Sequence, residues 1–208
     1  IDPGGTNSML PDPATGAAVP ALDGAAILER VPGLEAIARL EPIDWGLVPA
    51  SHLRFSQILD IGSVIADAAE REDVDGVVVV QGTDVLDETA YAWDLLHAID
   101  TPVVVVGAMR NAGDPDYEGP RNLTDAVRVA ADPRMRGQGV AVVMDGLVLP
   151  ADDVTKTHSQ SIDTFQALNA GRLGHVRDDE VVLERERRDR RMLVEWPEAA
   201  AEPVALIT

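Results

Sequence analysis

Val77-Val78-Val79-Val80-Gln81-Gly82-Thr83-Asp84 is the stretch that decides the fold. Four β-branched apolar residues in a row read as a strand buried on both faces of a parallel sheet. Gln81-Gly82 ends the run. Glu88, Thr89, Ala90, Leu95 and Leu96 then carry a helical pattern, and the spacing predicts a helix over about residues 86–98. A hydroxyl and a carboxylate, Thr83 and Asp84, therefore fall side by side where a strand ends and a helix begins. Open α/β sheets bind ligands at that level, and the free N–H groups of a helix start favour anions. On spacing alone, simple helix capping by Thr83 or Asp84 is the competing reading.

The same unit recurs downstream. Val103 to Val106 reads as a second buried strand, followed by Gly107-Ala108-Met109-Arg110, a polar loop from Asn111 to Gly119 and a helix over about residues 121–131. Gly139 to Met144 is a third strand, and Asp145-Gly146 signals a hairpin returning through Leu147 to Leu149. Repeated strand–helix–strand units predict a parallel, right-handed, Rossmann-like α/β sheet with a β-hairpin extension. Upstream, Ile58, Leu59, Ile61, Ile65 and Ala68 mark a helix over about residues 56–70. Ala25 to Leu40 reads as a helix interrupted near Pro32, and Trp45 to Pro49 as a short extended piece. Residues 11–25, rich in Pro, Ala, Gly and Thr, are expected to be a loop placed as a lid would be. Residues 152–159 read as a polar loop without strand or helix period, and residues 173–185 as a hairpin around Arg177-Asp178-Asp179. The charged, then Ala/Pro-rich stretch that follows reads as a linker. Three segments result: a domain over 1–184, a linker over 185–203, and the start of a second, smaller α/β domain over 204–208.

Composition narrows the function classes. With 46% hydrophobic residues the 208-residue chain can bury a substantial core, and with no cysteine it has neither disulfides nor thiolate metal ligands. The apolar runs are strand-length, so no membrane helix is expected. A formal charge of −19 opposes nucleic acid binding. Lys156 is the only lysine among 17 basic residues. An ammonium kept where arginine is otherwise used suggests a site needing a compact, titratable donor; pairing with Asp152 or Asp153 on a solvated loop is the plain alternative.

Assembled in order, these pieces resemble the bacterial-type L-asparaginase/glutaminase family. Gly4-Gly5-Thr6 is similar to its first signature, a glycine pair before a nucleophilic threonine. Gln81-Gly82-Thr83-Asp84 with Leu86-Asp87-Glu88-Thr89-Ala90-Tyr91 is similar to its second. Gly107-Ala108-Met109-Arg110, Gly119-Pro120, Asn122-Leu123 and Asp153-Val154-Thr155-Lys156-Thr157 also match in sequence order. The resemblance implies a larger N-terminal and a smaller C-terminal α/β domain, the latter mostly absent from this chain.

The resemblance also implies the roles. Thr6 attacks a side-chain amide and forms an acyl-enzyme; Thr83, Asp84 and Lys156 complete the catalytic set. Ser51 holds the substrate α-carboxylate with His52 beside it, Asp84 holds the α-ammonium, and the Ala108 carbonyl meets the amide. No metal or organic cofactor is implied. The expected partners are a small amino-acid amide and further copies of the chain in a homodimer or homotetramer, with no nucleic acid or membrane, in the cytoplasm. The chain departs from the pattern at His52, where relatives have Gln or Glu, and at Asn7, where an apolar residue is usual. It also lacks a tyrosine in residues 9–34, where secreted relatives have one. The leading expectation is L-asparagine hydrolysis to L-aspartate and ammonia. The alternatives are an amidohydrolase of glutamine, D-asparagine or a cyclic amide, and an amidotransferase component that needs a partner.

Overall fold

The computed structural model describes residues 1–4, 9–11, 18–20, 24–98, 100–187, 190–192 and 195. Met9–Pro11 (β1) and Ala18–Pro20 (β2) form an antiparallel pair. This corrects the loop expected over 11–25: both strands are three residues long and carry proline, so neither shows an alternation that sequence reading could register. The helix Gly24–Glu29 (α1) stops before Pro32, and a 3₁₀ turn at Leu34–Ala36 follows. Then come Phe55–Ala69 (α2), Val77–Val80 (β3), Leu86–Leu96 (α3), Val103–Val106 (β4), Gly119–Ala131 (α4), Val140–Met144 (β5) and Leu147–Pro150 (β6). Val154–Lys156 (β7), Phe165–Ala167 (β8), Gly174–Arg177 (β9) and Glu180–Leu183 (β10) complete the described elements. β7 corrects the loop expected over 152–159. Its partner β8 is equally short, and the pairing of Lys156 with Phe165 is a tertiary fact that no local period announces.

The main sheet runs β10-β9-β6-β5-β4-β3. β3, β4 and β5 are parallel and in step, Val80 opposite Val106 and Val106 opposite Val143. The remaining pairings are antiparallel, so the sheet is mixed, with the predicted parallel unit at its β3 side. Alternate strand residues face two cores. Val79, Val105 and Val142 meet Ile61 and Ile65 of α2 and Leu86, Ala90 and Trp93 of α3. Val104, Val106 and Val143 meet Ile27 of α1 and Leu123, Ala126 and Val127 of α4. Packing on both faces is why β3 and β4 are all valine and β5 is wholly apolar. Among the described residues, no helix is long and apolar enough to cross a membrane.

Residues 1–4 run beside β3: Val80 N–H donates to the Ile1 carbonyl at 2.9 Å, and Gly4 bridges Gln81 in parallel. The piece expected to be extended, Trp45 to Pro49, lies along them, with Val48 N–H on the Pro3 carbonyl at 2.9 Å. Gly4 has φ +93° and sits so close that a Cβ there would be 2.9 Å from Val48 N. The Gly4 end, the β3 end and the β4 end therefore converge at one edge of the domain.

Arg187, within the stretch expected to be a linker, is fixed to the domain. Its guanidinium grips both carboxylate oxygens of Asp94 at 2.9 and 2.7 Å, and its Nε meets Asp152 Oδ2 at 3.1 Å. Arg190 adds a 3.3 Å ion pair to Asp94. The Asp94 side chain is fully buried, and Gly139, at φ +80°, lets this cluster close: a Cβ there would lie 2.3 Å from Asp94 Oδ1. Truncating one partner of a buried pair strands the other charge. Arg187→Met is therefore expected to lower unfolding free energy by about 3 kcal/mol, read by denaturant titration; an unchanged midpoint would mean the pair adds nothing.

Candidate active site

Thr83 opens a 3₁₀ turn, Thr83–Val85, that joins β3 to α3. The residue is buried at 6% exposure. Gly107, just past β4, backs it: a Cβ on Gly107 would fall 2.8 Å from the Gln81 carbonyl and 2.9 Å from Thr83 Cγ2. That close approach is why the second strand also ends in glycine. Gln81, itself buried, donates from Nε2 to Thr89 Oγ1 at 2.7 Å and ties the turn to α3.

Lys156 arrives from β7. Its Nζ lies 3.0 Å from Thr83 Oγ1 and 3.0 Å from the Thr83 carbonyl. Asp84 Oδ1 is 3.8 Å away, and the Asp84 side chain is 61% exposed. An exposed ion pair at that distance is weak, so Asp84 keeps most of its carboxylate for another cation. The lysine is thus hydrogen-bonded to the threonine and only loosely paired with the aspartate. The plain alternative, a solvated loop with Lys156 on Asp152 or Asp153, does not describe it: Asp152 binds Arg187, and Asp153 accepts from the backbone N–H groups of Asn169, Ala170 and Gly171.

The turn Ala50–His52 packs against the Thr83–Val85 turn, which brings Ser51 and His52, both exposed, to the same edge as Asp84. Ala108 is fully buried, next in the chain to Gly107. Thr6, with Asn7 and Ser8, lies outside the described residues; Gly4, two positions before it, is at this edge. A separate cavity of about 420 Å³, lined by Ile1, Ile27, Leu28, Val78 and Val127, lies under β3 and α4, away from Thr83 and Lys156. Its lining also includes Asp2, Arg39, Glu41, Arg71, Asp73 and Asp75, and none of the candidate site residues is in it.

Four residues here were assigned no role from sequence. Asn122 is buried on α4, donates to the Gly107 carbonyl at 3.1 Å and accepts from Asp145 N–H at 3.1 Å, so one amide spans the ends of β4 and β5. Glu118 accepts the Met109 and Arg110 N–H groups and fixes the loop after Ala108. Asp87 accepts the Lys156 N–H at 2.9 Å. Glu88 neighbours Asp87. Partial desolvation, a hydrogen bond with Asp87 and that residue's charge push its carboxyl up to about 7, with Lys156 opposing. A polar residue beside Leu123, Ala126 and Val129 was the available signal for Asn122, which shares the buried side of α4 with Asp125. Glu118 and Asp87 act on backbone groups of other segments, and Glu88 acts on its neighbour Asp87.

A doubly flanked α/β domain with a threonine–lysine contact at its strand ends is the class that the fold and site define. Residues 1–189 match the family described as asparaginase, N-terminal. The chain belongs to the asparaginase family and carries its N-terminal domain. It is 38% identical over 159 residues to a probable periplasmic L-asparaginase of Haemophilus influenzae, covering 76% of this chain and 45% of that protein. It is 43% identical over 114 residues to L-asparaginase 2 of Escherichia coli, covering 55% of this chain and 33% of that protein. The crystal structure of a probable cytoplasmic L-asparaginase from Campylobacter jejuni superposes with TM-score 0.82 at 30% identity, covering 90% of this chain and 56% of that one. The chain thus spans about half the length, or less, of the relatives it matches.

Glu88 gives a pH signature. Its folded value, about 7, lies above the ordinary 4.5. As pH rises, the unfolded chain loses this proton first, so the stability contributed by Glu88 is whole below the ordinary value and is lost as pH climbs through about 7. Glu88→Gln should therefore raise the thermal midpoint relative to wild type at pH 8, with the gap closing at pH 4. A gap that is equal at both pH values would contradict the shifted carboxyl.

Proposed function

We propose that the full protein hydrolyses L-asparagine to L-aspartate and ammonia. The observation that carries this reading is Lys156 Nζ at 3.0 Å from Thr83 Oγ1, joined to the family membership. A threonine hydroxyl is a poor nucleophile until a base takes its proton. An amine in hydrogen-bond contact with a hydroxyl supplies a path for that proton. In the proposed mechanism Thr6 attacks the carboxamide carbon. The tether from Gly4 is two residues, at most about 7 Å, and Gly4 pairs with Gln81, two residues before Thr83. The C–N bond breaks, the nitrogen leaves as ammonia with the proton relayed through Thr83 and Lys156, and an ester remains on Thr6. Water, activated by Thr83 with Lys156, then attacks the ester carbon, releasing aspartate and restoring the hydroxyl. Ser51 holds the α-carboxylate. The exposed Asp84 carboxylate holds the α-ammonium, and the Ala108 carbonyl receives the amide.

Exposed His52 beside Ser51 favours a second reading, hydrolysis of another small amide such as glutamine or D-asparagine, because an imidazole replaces the usual Gln or Glu at the amino-acid end. One ammonia assay across a panel of amides separates the two. The division into a domain over 1–184, a linker from 185 and a second domain from 204 belongs to the same proposal. So does assembly as a homodimer or homotetramer, read by light scattering. Cytoplasmic placement rests on the name of the Campylobacter neighbour, against the periplasmic Haemophilus relative, and cell fractionation decides it.

In the full-length protein, Thr83→Val and Lys156→Met should each cut kcat for ammonia release by about 100-fold or more with the thermal midpoint retained. Lys156→Arg should fail as well, because a guanidinium does not give up its proton. Thr6→Ala should abolish turnover. Ammonia release that persists in Thr6→Ala would overturn the nucleophile assignment.

A further inference from the structure

Lys156 is gripped at both ends by one short stretch of chain. Its Nζ lies 3.0 Å from Thr83 Oγ1, and its backbone N–H donates to Asp87 Oδ2 at 2.9 Å. Thr83 and Asp87 are four residues apart, across the turn that opens α3. The geometry of β7 explains why the N–H is available. Thr157 N–H points to β8 and donates to the Thr164 carbonyl at 2.8 Å. Adjacent N–H groups of a strand point to opposite edges, so the Lys156 N–H points away from β8, toward α3. On an open edge water would take it, whereas here a carboxylate does, in a charge-assisted hydrogen bond.

A lysine ammonium sits on a flexible four-carbon stem. The β7–β8 ladder is three residues long, and by itself it leaves the position of β7 along α3 unspecified. The Asp87 bond specifies it, because it ties the Lys156 backbone to the same helix that carries Thr83. We propose that Asp87 is a positioning residue for amide hydrolysis: it docks β7 on α3 so that Lys156 Nζ stays within proton-transfer reach of Thr83. Asp87 acts through the lysine backbone, with no role on the substrate. This inference rests on the amidohydrolase reading above.

Two measurements on the full-length protein test it. The first is kcat and KM for ammonia release from L-asparagine in Asp87→Ala and Asp87→Asn, with thermal midpoints as the folding control. Asp87→Ala should lower kcat by about 10- to 100-fold, the cost of an ångström-scale misplacement, while KM stays nearly constant. Asp87→Asn keeps an oxygen acceptor at the same place and should recover most of the loss. The second does not depend on turnover. Lys156 is the only lysine in these 208 residues, so ¹⁵N-lysine labelling gives this domain one lysine amide signal, assigned by its disappearance in Lys156→Arg. Hydrogen exchange at that amide should speed up about tenfold in Asp87→Ala, the equivalent of one charge-assisted hydrogen bond, and less in Asp87→Asn. Unchanged kcat in Asp87→Ala, or a loss equal in the alanine and asparagine variants, overturns the proposal. Unchanged amide exchange overturns it too. If the wild-type protein releases no ammonia from any amide in the panel, the functional reading fails, and amide exchange alone then decides whether Asp87 anchors the lysine.

Discussion

Lys156 and Thr83 are 73 positions apart in the chain, and the 3.0 Å contact between them depends on how the rest of the domain is assembled. Thr83 must be held where a parallel strand ends, which needs β3 packed on both faces and Gly107 small enough to sit behind it. Lys156 must come back to that edge from beyond the β5–β6 hairpin, on a strand whose neighbours are themselves pinned. Asp152, on the approach to that strand, takes Arg187, and Asp153 takes three backbone N–H groups of the loop at 169–171. The lysine thus reaches the threonine from a braced segment, and its charge is only loosely drawn off by exposed Asp84.

The same bracing links the two ends of α3. Its first turn carries Asp87 and follows Thr83; its last turn carries Asp94, clasped by Arg187 and Arg190. A charge buried as completely as Asp94 is costly unless fully paired, so the chain after β10 is held down rather than merely resting there. Arg187 and Arg190 are thereby fixed to the helix that also bears the candidate site.

Legibility in the sequence followed local periodicity. β3 and β4 were readable to the residue, because a strand buried on both sides is written as an unbroken valine run. α2 and α4 were readable from apolar spacing, to within a residue or two. β1, β2, β7 and β8 were not, since three-residue strands exist only through their partners. For the site, the lone lysine and the Gly-Thr-Asp turn flagged themselves, and the ordered motifs suggested that they meet. Asp87, Glu118 and Asn122 stayed silent as individual roles: each bonds a backbone group that folding alone brings near. Asp87 and the Lys156 amide are 69 positions apart.

The proposed hydrolysis requires the edge where β3 and β4 end to be the amino-acid site, with the lysine-linked threonine at the reacting carbonyl. A crystal structure of the full-length protein with L-aspartate bound tests it most directly. The ligand's α-ammonium is expected on Asp84, its α-carboxylate on Ser51, and its side-chain carboxylate between Thr6 and Thr83, with Lys156 still on Thr83. Aspartate seated away from this edge, or bound with its side chain turned from Thr83, would contradict it.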